Sequence, residues 1–190
     1  MKTPARLKPL LEDGIIDEVL RQLMSGKEAT VYVVRCGDTV RCAKVYKEMD
    51  KRSFKQAVTY QEGRKVRNTR RARAMERRSK FGRKQQESAW HNAEVDALYK
   101  LAAADVRVPR PYGCFDGVLL MELVTDDSGD AAPRLSEVVL SEEQALEDHE
   151  IMMRYVVRML CAGLVHGDLS EFNVLVDEYG PVIIDLPQAV

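Results

Sequence analysis

Apolar positions recur at helical spacing over residues 10 to 23, at Leu10, Leu11, Ile15, Ile16, Val19, Leu20 and Leu23, with Gly14 interrupting. This spacing predicts a helix. From Ser25 the pattern changes. Thr30-Val31-Tyr32-Val33-Val34 is β-branched and aromatic and follows a glycine turn, which predicts a strand. The Cys36-Gly37-Asp38 turn leads to a second strand, Val40 to Tyr46, and completes a hairpin. Residues 85 to 104 return to helical spacing, with Trp90, Ala93, Ala97, Leu98 and Leu101 on one face. Glu94 falls on that same face, four residues after Trp90 and four before Leu98. A carboxylate on an apolar stripe is costly unless it has a partner. Val108-Pro109-Arg110-Pro111 then breaks the chain. Strands Tyr112 to Phe115 and Val118 to Val124 follow, joined by the Asp116-Gly117 turn. Ser141-x-x-Gln144 matches a capping box. It opens a helix to about Cys161, with Met152, Met153, Val156, Val157 and Leu160 inward and Gly163 suited to its C′ position. A last strand, Val182-Ile183-Ile184, ends on Asp185.

Composition narrows the class. The 190 residues are 45% hydrophobic, enough for a core, so global disorder is excluded. The apolar run Val118-Leu119-Leu120-Met121 is closed by Glu122, far short of the roughly 20 residues that a spanning helix needs. The first twenty residues carry Glu12, Asp13, Asp17 and Glu18 and no apolar stretch of signal-peptide length. No two of Cys36, Cys42, Cys114 and Cys161 have CxxC spacing, which disfavours a zinc site or a redox pair. The expectation is a cytoplasmic protein with reduced thiols and no membrane partner.

The net charge of −1 hides two opposed blocks. Residues 51 to 84 hold fourteen Lys or Arg against Glu62 and Glu76, a balance of +12, so the other 156 residues carry −13. Residues 126 to 150 hold nine acids against Arg134 alone. Such a basic block reads either as a solvated loop or as a phosphate-binding arm for RNA or a ribosomal particle. Its aromatics are only Phe54, Tyr60 and Phe81, so base stacking has little support.

The order hairpin, helix, hairpin, helix, polar loop, strand, Asp is that of a protein-kinase-like fold. Phosphoryl transfer needs held phosphates, a bridging cation and a group that orients the nucleophile. Lys44, on the second strand, can reach ATP phosphates, and Glu94 can hold Lys44 by an ion pair. Asp168 lies in a His-Gly-Asp loop with Asn173 five residues on, the D-x-x-x-x-N spacing of a kinase catalytic loop. Asn173 and Asp185 offer oxygen ligands to Mg²⁺, a hard cation. Each residue alone has a plain structural reading: an edge lysine, a snorkelling glutamate, a turn aspartate, a strand terminator. Four in this order, at these spacings, outweigh it. His166 reads as backbone support, and His91 and His149 as solvated helix residues.

These motifs resemble the RIO-type atypical protein kinases, closest to bacterial members of the first RIO branch. Ser25-Gly26-Lys27-Glu28-Ala29-Thr30-Val31-Tyr32 resembles the family's phosphate loop, and Cys42-Ala43-Lys44-Val45-Tyr46-Lys47 its lysine strand. Trp90-x-x-x-Glu94 resembles the start of its helix C. His166-Gly167-Asp168-Leu169-Ser170-Glu171-Phe172-Asn173 carries the Leu-Ser-Glu mark of the family, and Ile183-Ile184-Asp185 stands in place of DFG. The resemblance implies an α+β, two-lobed kinase-like domain over 1–190. Residues 1–123 would be a small β-rich N-lobe with one helix C and a flexible basic loop at about 51–84. Residues 124–190 would be a reduced helical C-lobe, incomplete at its C-terminus, with apolar surface exposed on the 142–161 helix.

The resemblance further implies ATP with Mg²⁺ or Mn²⁺. Ser25, Gly26, Lys27, Glu28, Val31, Lys44, Glu94, Met121 and Leu123 would line the nucleotide site, Met121 as gatekeeper and Leu123 in the hinge. Asn173 and Asp185 would hold the metal. Asp168 would be the catalytic base, and Asp185 could become transiently phosphorylated. The implied activity is Ser/Thr autophosphorylation or phosphorylation of a protein substrate, or ATP hydrolysis. The alternatives are a nucleotide-gated RNA or ribosome switch using 51–84, and a small-molecule kinase, which the Leu169-Ser170-Glu171 insert and the Ser25-Gly26-Lys27-Glu28 loop disfavour.

Overall fold

The computed structural model describes residues 3–47 and 94–186. A 3₁₀ turn, Ala5–Leu7, runs into helix α1, Lys8–Glu12. Gly14 then takes φ +67°, a left-handed backbone that glycine adopts without steric cost, and the helix does not resume. The helix expected over 10 to 23 is therefore corrected: Glu18–Ser25 is strand β1. Its pairing with the next strand slips between Val19 and Arg21 and again between Gln22 and Met24. These irregularities erase the two-residue alternation and leave apolar spacing that imitates a helix.

Strands β2, Ala29–Cys36, and β3, Thr39–Tyr46, form the expected hairpin. Strands β4, Pro111–Phe115, and β5, Val118–Glu122, form the second, turning at Asp116 (φ +43°) and Gly117 (φ +79°). The five strands make one antiparallel sheet in the order β1-β2-β3-β5-β4. Residues 94–103 are helical, here α2, within the expected 85–104. Trp90, Ala93, His91 and the basic block of 51–84 lie outside the described residues.

Alternation along β3 sorts its side chains between two cores. Ala43 and Val45 join Leu7, Leu10, Ile16, Val34, Val118 and Leu120 beneath the N-terminal helix. Tyr46 joins Leu119 and the α2 residues Ala97, Leu98 and Leu101 on the other side. That second core continues through Met159 and Leu164 to Ile183 and Leu186, so one apolar core containing α2 runs from the sheet into the lower half.

The lower half holds helix α3, Glu142–Cys161, and a separate antiparallel hairpin of β6, Val174–Asp177, and β7, Gly180–Ile183. Ser141 Oγ accepts the Gln144 N–H, and the Gln144 side chain accepts the Ser141 N–H, closing the predicted capping box. Gly163 takes φ +69° just past the helix end. The inward face of α3 needs correction. Met159 is buried, whereas Met153, Val157 and Leu160 are half exposed or more. The helix carries two adjacent apolar stripes, and only Met152, Tyr155, Val156 and Met159 meet the core.

One side chain ties the two sheets together. Arg107 donates to both Glu122 oxygens, at 2.9 and 2.8 Å, and to Asp177 Oδ2 at 3.1 Å. Glu122 ends β5 and Asp177 ends β6, so one guanidinium spans both hairpins. Glu122 also accepts the Arg110 N–H at 2.9 Å. Burial pushes the Glu122 carboxyl up, but the hydrogen bonds from Arg107 and Arg110 outweigh it and hold the group below its ordinary value. The Asp177 side chain is 4% exposed; without Arg107 it would keep the Tyr179 N–H on Oδ1 at 2.8 Å but lose the positive charge on Oδ2. Arg107→Ala is expected to lower stability by about 3 kcal/mol, measured by equilibrium denaturation. Arg107→Lys should recover only part of this, since an ammonium cannot match the two-pronged contact.

Candidate active site

Ser25 ends β1, and the loop to β2 carries Gly26, Lys27 and Glu28. It is closed by the Gly26 N–H donating to Ala29 O at 2.9 Å and by a 3.2 Å bond between the Ser25 and Thr30 hydroxyls. Lys47, just past β3, donates to Ser25 Oγ at 3.0 Å and to Gly26 O at 2.6 Å, and its backbone N–H donates to Glu28 O at 2.8 Å. Sequence reasoning did not single out Lys47, which stands only three positions beyond Lys44 and pins the loop from below. Desolvation and the Asp185 charge push the Glu28 carboxyl up, with Lys44 opposing.

Lys44 lies opposite Val31 on β2 and Leu119 on β5. Its ammonium donates to Glu94 Oε1 at 2.6 Å and to Asp185 Oδ1 at 2.8 Å. Glu94 is 3% exposed, and its other oxygen accepts the Tyr46 hydroxyl. This settles where the charge on the apolar stripe of α2 finds its partners. Burial alone would favour neutral Lys44, but Glu94 and Asp185 outweigh it and hold its pKa above the ordinary value. Met121 lies opposite Cys42 on β3, and Leu123 follows the end of β5; both are partly buried.

The lower half supplies the remaining residues through a short hydrogen-bonded relay. His166 is buried. Its Nδ1 accepts the Asp168 N–H at 3.2 Å, which leaves the proton on Nε2 to donate to Ile184 O at 2.9 Å. Asn173 Nδ2 donates to Asp168 O at 2.8 Å and to Asp168 Oδ2 at 3.3 Å. The Ile184 N–H donates to Asn173 O at 3.0 Å. The next residue, Asp185, takes φ +64°. A non-glycine residue in this region is strained, and such strain clusters at functional sites.

The structure thus joins Lys44, Glu94 and Asp185 in one cluster and Asp168 and Asn173 in another, with His166 and Ile184 between them. Ser25, Gly26, Lys27 and Glu28 lie in the loop above, although no direct contact links Lys27 to Lys44. The donor chemistry fits Mg²⁺. The described residues contain no group of three or more His, Cys, Asp or Glu able to hold a metal by themselves. Mg²⁺ keeps waters and is held by one or two carboxylates plus phosphate oxygens, so a sparse set is what it requires. Asp185 offers a half-exposed carboxylate. The Asn173 amide uses its nitrogen on Asp168 and leaves its oxygen as an acceptor. The Lys44 ammonium is shared between two carboxylates, Glu94 and Asp185, which leaves negative charge beside it to suit a cation.

The chain has counterparts among known proteins. The family profile for the RIO domain matches residues 30–190. The RIO-type serine/threonine-protein kinase Rio1 of Haloferax volcanii is 36% identical over 99% of this chain. The human serine/threonine-protein kinase RIO1 is 33% identical over 100% of it. The chain spans 61% of the first and 32% of the second. Among solved structures, the Rio2 kinase of Chaetomium thermophilum in its ADP/Mg²⁺-phosphoaspartate complex superposes with a TM-score of 0.65 at 20% identity. That match covers 97% of this chain and 52% of that one. The two-lobed kinase-like α+β fold is shared.

His166→Ala removes partners from the Asp168 N–H and Ile184 O together. Its expected effect is a loss of about 2–4 kcal/mol of stability, read from the denaturation midpoint.

Proposed function

Because this chain belongs to the RIO family, we propose that it binds ATP with Mg²⁺ and transfers the γ-phosphoryl group to a Ser or Thr hydroxyl, on itself or on a protein substrate, or to water. The observation that carries this reading is the bridging of Glu94 and Asp185 by Lys44 beside an Asp168 locked by Asn173. Lys44, tied to Glu94, holds the phosphates, with the Ser25-Gly26-Lys27-Glu28 loop above them. Val31, Met121 and Leu123 flank the base. Asn173 and Asp185 would hold Mg²⁺, which would supply positive charge to offset that of the phosphates. Asp168 accepts the proton of the attacking hydroxyl, so an O–P bond forms as the bond to ADP breaks. The Rio2 structure contains a phosphoaspartate. For this chain we assign the corresponding role to Asp185, whose carboxylate would take the phosphoryl group before water removes it. The expected location is the cytoplasm; no helix of the described residues is long and apolar enough to cross a membrane.

A second reading rests on the +12 balance of residues 51 to 84. It makes the chain a nucleotide-gated switch that docks on RNA or a ribosomal particle, with ATP turnover serving release.

Incubation with Mg²⁺ and γ-labelled ATP tests the first reading, and RNA binding tests the second. Label on the protein, or released phosphate, should fall by at least about a hundredfold in both Asp168→Ala and Asp185→Ala. Unchanged turnover in either variant rejects that residue's role. RNA docking should weaken steeply as salt rises and disappear when Arg70, Arg71, Arg77 and Arg78 are replaced by Ser. Binding that ignores salt sinks the second reading.

A further inference from the structure

Glu94 gives its two oxygens to different donors. Lys44 takes Oε1 at 2.6 Å, and the Tyr46 hydroxyl takes Oε2. Lys44 in turn divides its ammonium between Glu94 and Asp185. Its position is therefore a balance between two carboxylates. One, Glu94, is buried within the core; the other, Asp185, is half exposed. The balance depends on what holds Glu94. If Oε2 lost its donor, a buried anionic oxygen would stand unpaired, which is costly. The carboxylate would then turn to share both oxygens with Lys44, or swing away from the core. Either motion moves the ammonium.

Tyr46 is built to prevent that motion. It is 1% exposed and packed with Ala97, Leu98, Leu101 and Leu119, so its ring cannot follow a drifting carboxylate. It stands two residues after Lys44 on β3, and the strand alternation puts both side chains on the face that α2 covers. Burial and the Glu94 charge push the phenol far above its ordinary pKa, so it remains a donor.

We propose that Tyr46 is a positioning residue for phosphoryl transfer: its hydroxyl fixes the Glu94 carboxylate so that Lys44 is held between Glu94 and Asp185 instead of settling on Asp185 alone. The assignment rests on the kinase reading above. In its absence Lys44 would shift toward the aspartate that holds the metal, and both groups would serve the phosphates less well.

Tyr46→Phe removes the hydroxyl and keeps the ring. Three quantities are measured on the full chain: kcat/KM for ATP, the melting temperature, and the rate at which Lys44 is acetylated by an amine-reactive ester in nucleotide-free protein, read by mass spectrometry. We expect kcat/KM to fall about tenfold and Lys44 acetylation to speed up severalfold. In a Glu94→Gln background, Tyr46→Phe should add little to either effect, because the residue acts through Glu94. Parent-like kcat/KM together with parent-like acetylation overturns the proposal. So does a loss that is equally large with and without Glu94, which would mark Tyr46 as packing alone, as would a variant that only melts earlier. If the parent chain itself shows no turnover, the kinase reading fails instead. The acetylation rate then still decides whether Tyr46 holds Lys44.

Discussion

A carboxylate on the inner face of α2 cannot remain unpaired, and most of the site follows from that constraint. An ionised group taken out of water must be met by charge and hydrogen bonds. Glu94 meets an ammonium and a hydroxyl that arrive from one strand. Satisfying it fixes α2 against the sheet and fixes the height of Lys44 on β3. The same ammonium then reaches Asp185, so the upper half and the lower half share one charged node.

The lower half solves a different problem. Its loop residues lie at the surface, where burial cannot hold them. Backbone groups hold them instead, through the imidazole of His166 and the amide of Asn173. Asp168 is thereby oriented by its neighbours and stays exposed. Arg107 sets the third relation, tying the ends of β5 and β6 on the connection between the halves. Two ion-paired cross-links thus join the halves, Lys44 with Asp185 and Arg107 with Asp177.

What the sequence revealed was what is local. Both hairpins and the capping box depend on residues within a few positions of one another, and they could be read directly. Glu94 was legible because a charge on an apolar stripe contradicts the pattern around it. Strand β1 was not, because slips in its pairing hide the alternation. The core-facing stripe of α3 was not, because the spacing allows either of two faces. Tyr46 left a faint signal, its two-residue offset from Lys44, but a tyrosine in a strand is ordinary. Arg107 left none, since its partners lie 15 and 70 residues away. Lys47 acts through a loop that only the β2–β3 pairing brings near.

The contact between Tyr46 and Glu94 spans 48 residues of chain. Tyr46 is the last residue of β3, and Glu94 the first described residue after the basic block. The hydroxyl–carboxylate bond therefore ties the end of β3 to the start of the described part of α2. Pulling the strand and the helix apart would break a buried hydrogen bond and the neighbouring ion pair together, so neither element can shift without disturbing the charge that the other supplies.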